Sequence, residues 1–234
     1  MVIGKTASGQ PRTLTKLLLD YGVLFAFVAL FLFLAFRAEA FLTMRNQLNI
    51  LDQAHQIGLM ALAVTVVIIA GGFDLSMGAI FAMSGVIAAF VARDLEASEA
   101  FANIAPYAGW VAGVVVGTLF GLLNGVLVTV LRINTFVATL ASGIVIRGLA
   151  LIITQAEQVR VEDERFQALA RGGIGDIGNT ILIWLGFAIF LTFLLTRTKF
   201  GRHVFAAGDN PEAARLSGIS VNLVRTITFG ISGF

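Results

Sequence analysis

Asp74 and Ser76 close the stretch Gly71-Gly72-Phe73-Asp74-Leu75-Ser76, which separates two apolar runs. A carboxylate and a hydroxyl at that spacing can cap the free N–H groups of a helix that starts near Met77. Set between apolar runs, Asp74 could instead shape a pore or touch a polar solute. Arg147 poses a similar choice among Ile144, Val145, Ile146 and Leu149. It lies too far from either end of its run to snorkel easily, so it is expected to face the bundle interior. There it could line a path or hydrogen-bond loop carbonyls. Asn124, Asn134 and Thr135 bracket a short turn and are expected to bond backbone there. Asp74, Ser76, Asn124 and Arg147 form the candidate set for a translocation pathway.

Other chemistries find no foothold. The chain has no cysteine, and its two histidines, His55 and His203, are far apart with no i, i+4 partner. Neither a thiolate nor a His-rich metal site can be assembled from them. Gly173-Ile174-Gly175-Asp176-Ile177-Gly178 fits the dinucleotide fingerprint by letter, but it follows an acidic loop and precedes an apolar run. Without a strand before it and a βαβ unit around it, it reads as a flexible external turn. No membrane Ser/His pair, paired Asp or His-Glu-x-x-His occurs, so the chain is not expected to be an enzyme. No Walker A sequence occurs either, so ATP, if used, is bound and hydrolysed by another chain, and no cofactor is expected on this one.

These side chains have to be positioned by membrane helices. Of 234 residues, 58% are hydrophobic and 13% charged, and the mean hydropathy is +0.91. Soluble domains carry about 25% charged residues. The pI of 9.4 suggests nucleic acid, yet the net charge is only +2; nucleic-acid binding is not expected. Candidate spans are 17–36, 57–70, 77–92, 107–131, 136–154 and 180–196, with a seventh starting near Leu223. The second and third are short, and the break between them is typical of helices that line a cavity. The expected fold is all-α, a single polytopic transmembrane bundle over 1–234 with broken or short helices around 57–92.

Lys5, Arg12 and Lys16 precede the first span, and Arg197, Lys199, Arg202 and Arg215 follow the sixth. An even number of crossings puts both clusters on one side, which the positive-inside rule makes the cytoplasm. Glu157, Glu162, Asp163 and Glu164 fall on the other side, although Arg160, Arg165 and Arg171 lie there too. A rival reading of the start is a cleavable signal peptide ending near Ala38-Glu39-Ala40. Against it, the apolar stretch is long and Arg37 sits beside the supposed cut.

The fourth span carries Gly109, Gly113, Gly117, Gly121 and Gly125, one at every fourth position. That spacing cuts a groove along one helix face into which a neighbour can pack closely. It serves either as static packing or as a sliding surface.

The loop at 197–222 has Asn210 suited to an N-cap, Pro211 to the first helical position and Gly218 to a C′ position. A helix of about two turns over 211–217 is expected, small enough to enter a groove on a partner or simply to link two spans. Glu212-Ala213-Ala214, followed three residues later by Gly218, resembles the EAA loop of permease subunits from binding-protein-dependent ABC importers. Gly71–Gly78, the run from Gly121 to Thr139, and Thr198–Ile219 resemble the ribose, xylose and galactose branch, and in the same order. The resemblance implies a partner ATPase contacted through Gly208, Asn210, Glu212, Ala213, Ala214 and Gly218. It also implies a periplasmic sugar-binding protein, a second permease copy, and a setting in the lipid of the inner membrane with the N-terminus cytoplasmic. Members of that family usually continue through several more helices. The chain is therefore expected to be a fragment or shortened reading frame, or not transport-competent by itself.

The leading expectation is thus a permease subunit that moves a monosaccharide. The alternative, a secondary transporter driven by an ion gradient, would call for carboxylates in mid-membrane, and Asp74 is the one candidate.

Overall fold

The computed structural model describes residues 14–234, with side chains from Asp20 onward. Lys5, Arg12 and the Lys16 side chain, which entered the orientation argument, lie outside the described residues. The long helices are α1 (Leu14–Arg37), α2 (Met44–Ile69), α3 (Met77–Glu96), α4 (Ala105–Thr129), α5 (Thr135–Thr154) and α7 (Asn179–Arg197). All six are long and apolar enough to cross a membrane. Shorter elements are α6 (Glu164–Arg171), the hairpin β1 (Gly173–Ile174) with β2 (Ile177–Gly178), α8 (Lys199–Asp209), α9 (Pro211–Leu216) and α10 (Val221–Gly233). The all-α polytopic class is as expected.

Contacts divide the chain into two bodies, one up to Leu51 and one from Asp52 to Phe234. In the first, Asn46 Nδ2 and Gln47 Nε2 both donate to the Phe41 carbonyl, at 3.0 and 2.5 Å, and so close the α1–α2 turn. In the second, α4 is the central post, with α3 on one part of its length and α10 on another. A separate core of Val66, Ala70, Leu191, Val204, Ala207, Ala214, Val221 and Val224 gathers α8 and α9 beneath α2, α7 and α10.

The break at 70–76 stands where the sequence placed it, but the helices beside it are longer than the apolar runs. Helix α2 starts at Met44 and carries Asn46, Gln47, Asn49, Asp52, Gln53, His55 and Gln56 in its first half. Polar partners keep part of that half helical: Thr180 donates to Asp52 at 3.0 Å. Near its middle, Gly58 leaves room for the Trp184 indole of α7, which would lie 2.5 Å from a Cβ there.

The loop after α5 is also more ordered than a flexible turn. The glycine-rich stretch is the β1–β2 hairpin, turned at Gly175 with φ +62°. Before it, Asp163 caps α6 by accepting from the Arg165 N–H at 2.7 Å. The Arg165 guanidinium returns to the same carboxylate and also reaches the Ala102 carbonyl at 3.0 Å, which pins α6 to the α3–α4 turn. Hydrogen bonds from the Arg165 side chain hold the Asp163 carboxyl below the usual carboxylate range, with desolvation opposing and the backbone N–H assisting. A depressed folded-state pKa means the cap stabilises α6 above the unfolded pKa and is lost as pH falls through the folded one. The Arg165 amide is expected to resist hydrogen exchange at neutral pH and to lose protection only in acid below the usual carboxylate range. Protection that fades above that range would count against the cap.

Candidate functional site

The chain between α2 and α3 leaves its helix at Gly71, where φ is +80°, a conformation that suits glycine. Backbone polar groups freed at membrane depth need partners, and hydroxyls of α5 supply them. Thr135 Oγ1 donates to the Phe73 carbonyl and accepts from the Phe73 N–H, each at 2.9 Å. Thr139 Oγ1 accepts from the Leu75 N–H at 3.2 Å. Asp74 then turns inward. Its Oδ1 accepts from the Ser76 N–H at 2.9 Å and the Ser76 hydroxyl at 2.5 Å. Its Oδ2 accepts from the Ser232 hydroxyl of α10 at 3.2 Å, and Asn124 Nδ2 of α4 donates to Ser76 Oγ at 2.7 Å.

Asp74, Ser76, Asn124 and Ser232 are all buried, none more than 4% exposed. Among the described residues no cationic group lies within ion-pairing distance of Asp74. The cluster therefore works as a hydrogen-bond acceptor that ties the break to α4 and α10, with α5 holding the flanking backbone. This departs from the capping role expected: Asp74 serves the turn before α3, and the Ser76 side chain makes no cap bond to the helix. Two polar atoms stay buried without a protein partner, Asn124 Oδ1 beside the cluster and Ser84 Oγ farther along α3 against Gly117.

Other expectations need correction here. Asn124 does not bond the α4–α5 turn: it lies more than a turn inside α4, completely buried against Ser76. Asn134 does serve that turn, accepting from the Phe136 N–H at 3.0 Å, whereas Thr135 bonds the Phe73 backbone of the α2–α3 break instead. Arg147 was expected to face the bundle interior, but it is exposed in this chain. It lines a groove of about 780 Å³ between α3 and α5, walled by Gly78, Ala82 and Gly85 on one side and Ile144 on the other. The candidate pathway residues thus separate into a buried trio and one arginine outside it.

The α4 glycines are all buried and act in two groups. A Cβ at Gly109 would lie 2.6 Å from the Ala88 carbonyl, and one at Gly113 would lie 3.1 Å from the Ser84 carbonyl, both on α3. Gly117 and Gly121 lie against the Gly233 and Phe229 carbonyls of α10, and a Cβ at Gly125 would stand 2.8 Å from Thr226 Cα. Backbone meets backbone at each of them, which is the packing reading of the stripe.

At the other end of α10 the loop helix forms as expected. Asn210 Oδ1 accepts from the Ala213 N–H at 3.0 Å, Pro211 takes the first position, and Gly218 has φ +82°. The residues carried over as partner contacts do not all point outward. Ala214 is 4% exposed and belongs to the core under α9, so its methyl seats the helix. Gly208 abuts the Ile69 carbonyl of α2, so it too belongs to an internal joint. Glu212, Ala213 and Gly218 are exposed, with Arg215 3.5 Å from Glu212. Leu216, which the motif does not include, is 84% exposed and supplies the apolar tip. Helix α8 was not expected at all. Its signal was present in Gly201, Val204 and Ala207, three residues apart on one face, capped by Thr198 accepting from the Gly201 N–H at 3.1 Å.

Ser232, Thr139 and Leu216 are the participants that sequence reasoning missed. A serine or threonine in an apolar run usually bonds its own helix carbonyl, and nothing local marks the ones that reach across.

Comparison with known proteins shows which family the chain resembles. The family described as branched-chain amino acid transport system / permease component matches residues 46–234. L-arabinose ABC transporter permease protein AraH of Azospirillum brasilense is 37% identical over 215 residues, 91% of this chain and 60% of that protein. L-arabinose transport system permease protein AraH of Escherichia coli (strain K12) is 35% identical over 236 residues, covering 99% of this chain and 69% of its own length. Ribose import permease protein RbsC of Escherichia coli (strain K12) is 31% identical over 237 residues, covering 98% and 70%. The chain thus spans 60 to 70% of the length of these relatives. No solved structure matches. With a family match running from the start of α2 through α10, across the break, the glycine-faced helix and the loop helix, the chain belongs to the family described as branched-chain amino acid transport system / permease component.

Proposed function

We propose that this chain is the membrane-spanning permease subunit of an ATP-driven importer of a monosaccharide in the bacterial inner membrane. The observation that carries the reading is α9, a capped helix of six residues that seats Ala214 in the core and offers Glu212, Ala213 and Leu216 outward. A short rigid knob with one exposed apolar tip suits a groove on a partner better than a mere link between spans. In this reading the partner is a cytoplasmic ATPase subunit, which binds and hydrolyses the ATP. A periplasmic binding protein delivers the sugar, a second permease copy completes the path, and the N-terminus faces the cytoplasm. The sugar class follows the arabinose and ribose in the relatives' names. The chain itself performs no bond chemistry. An ion-gradient mechanism draws on Asp74 alone, and the hydrogen bonds to that carboxylate already account for its burial.

The test is co-purification of the ATPase subunit with the tagged chain from its own membranes in mild detergent. Leu216→Asp combined with Ala213→Trp is expected to reduce the ATPase recovered by about ten-fold or more, as loss of a central interface anchor does. Both side chains are exposed, so membrane level and melting temperature are expected to match wild type. Ala214→Trp is a poor probe because it would overfill the core. Recovery unchanged in the double variant would sink the coupling role of α9, and an ATPase absent even with wild type would sink the importer reading.

A further inference from the structure

We infer that Arg225 is a positioning residue that ties the end of α8, which leads into the loop helix, to the break between α2 and α3, so that displacement of α9 is delivered to the Asp74 cluster. The half-buried guanidinium donates through Nε to the Ala70 carbonyl at 2.9 Å and through Nη2 to the Ala207 carbonyl at 3.2 Å. Ala70 follows the last residue of α2, and Ala207 lies in the last turn of α8. Carbonyls at helix C-termini lack intrahelical partners and carry partial negative charge, so a cation there is favoured twice over. A planar fork with several donors can hold two such ends in fixed relation, whereas an ammonium offers a single point of charge.

The joint has little slack. A Cβ on Gly71 would stand 2.9 Å from Arg225 Nη2 and 3.5 Å from Gly208 Cα, while Gly208 itself abuts the Ile69 carbonyl. Among the described residues, Arg225 is the one side chain hydrogen-bonded to both segments. Beyond Ala207 the chain reaches Asn210, the cap of α9; beyond Ala70 it reaches Asp74. Packed, hydrogen-bonded elements of this kind can carry a displacement between two places.

The inference rests on the importer reading, and its test separates the two. The complete transporter, with ATPase subunits and binding protein, is assembled in vesicles as wild type, Arg225→Lys and Arg225→Met. Radiolabelled L-arabinose and D-ribose are the probes, and ATP hydrolysis is followed in parallel. Arg225→Met is expected to retain the ATPase subunit in full and hydrolysis within about three-fold, while uptake per ATP falls about ten-fold or more. Arg225→Lys is expected to fall between. In a second measurement, which needs no sugar, exchange of the amides from Gly71 to Ser76 is compared with and without ATP. An ATP-dependent change in wild type is expected to vanish in Arg225→Met. The inference is overturned if uptake per ATP is unchanged, if the amide response persists, or if ATPase recovery drops in step with uptake, which would make Arg225 a residue of assembly. A wild type that holds no ATPase subunit overturns the importer reading, and this inference with it.

Discussion

Gly121→Leu is expected to part α4 from α10 and to leave little chain that purifies as a folded, monodisperse species. Residue 121 meets backbone: the Phe229 carbonyl lies within the space a Cβ needs, and a Cβ would stand about 3.1 Å from Gly233 Cα. A flexible side chain could swing away, but a helix backbone cannot, so relief requires α10 to move off bodily. Overpacking a well-filled core costs about 1–3 kcal/mol, and parting the helices also forfeits van der Waals attraction along the rest of the seam. That attraction matters more in lipid than in water, because apolar side chains gain almost nothing there by leaving the tails. Gly117→Leu is expected to behave alike, since Gly117 and Gly233 are mutually in contact. Gly85 on α3 is the control: it has the same residue type in a helix but open space where a Cβ would go. Gly85→Leu is expected to purify as a folded, monodisperse species at close to the wild-type yield. Equal losses at the two positions would mean that helix propensity, and not close approach, is what the glycines supply.

The contrast between these two glycines shows what the sequence could disclose. A strict four-residue period on α4 marks one face of a helix without reference to any partner, so the stripe was legible from spacing alone. Which neighbours it meets was not, because α3 and α10 contribute carbonyl oxygens that every residue has. The loop helix was legible for a related reason. Capping is local chemistry, and Asn210, Pro211 and Gly218 act within a few residues of one another. Ala214 went astray because a motif records which residues recur but not which way a helix turns; the core under α9 decides that. Helix α2 exceeded its apolar run because hydropathy is blind to polar residues held by partners distant in sequence, such as Thr180 on Asp52. Arg147 failed differently. Its distance from the ends of an apolar run says how deep a charge lies but not which face of the helix bears it, and Arg147 lies on the face that lines the groove beside α3. The Asp74 cluster combines both cases, since its Ser76 bonds are local and its Asn124 and Ser232 bonds are not.

That combination makes Asp74→Ala the second large effect. Removing the carboxylate leaves the Ser76 N–H, the Ser76 hydroxyl and the Ser232 hydroxyl without their acceptor in a buried site. Each unsatisfied buried donor costs about 1–3 kcal/mol, so the loss is expected to reach about 3 kcal/mol or more. It falls where the break, α4, α5 and α10 are held together, so the variant is expected to reach the membrane at well below wild-type level and to aggregate in mild detergent. Asp74→Asn separates acceptance from charge. Its amide oxygen can still take the Ser76 donors, and its amide nitrogen can donate to Ser232 Oγ in place of receiving from it. The Asn variant is therefore expected to match wild type in membrane level and to melt within a few degrees of it, with uptake within about three-fold. If Asn proves as damaging as Ala, the cluster requires the negative charge itself. The pore reading of Asp74 would then regain force, because an acceptor that only holds the fold has no use for a charge that its neutral isostere lacks.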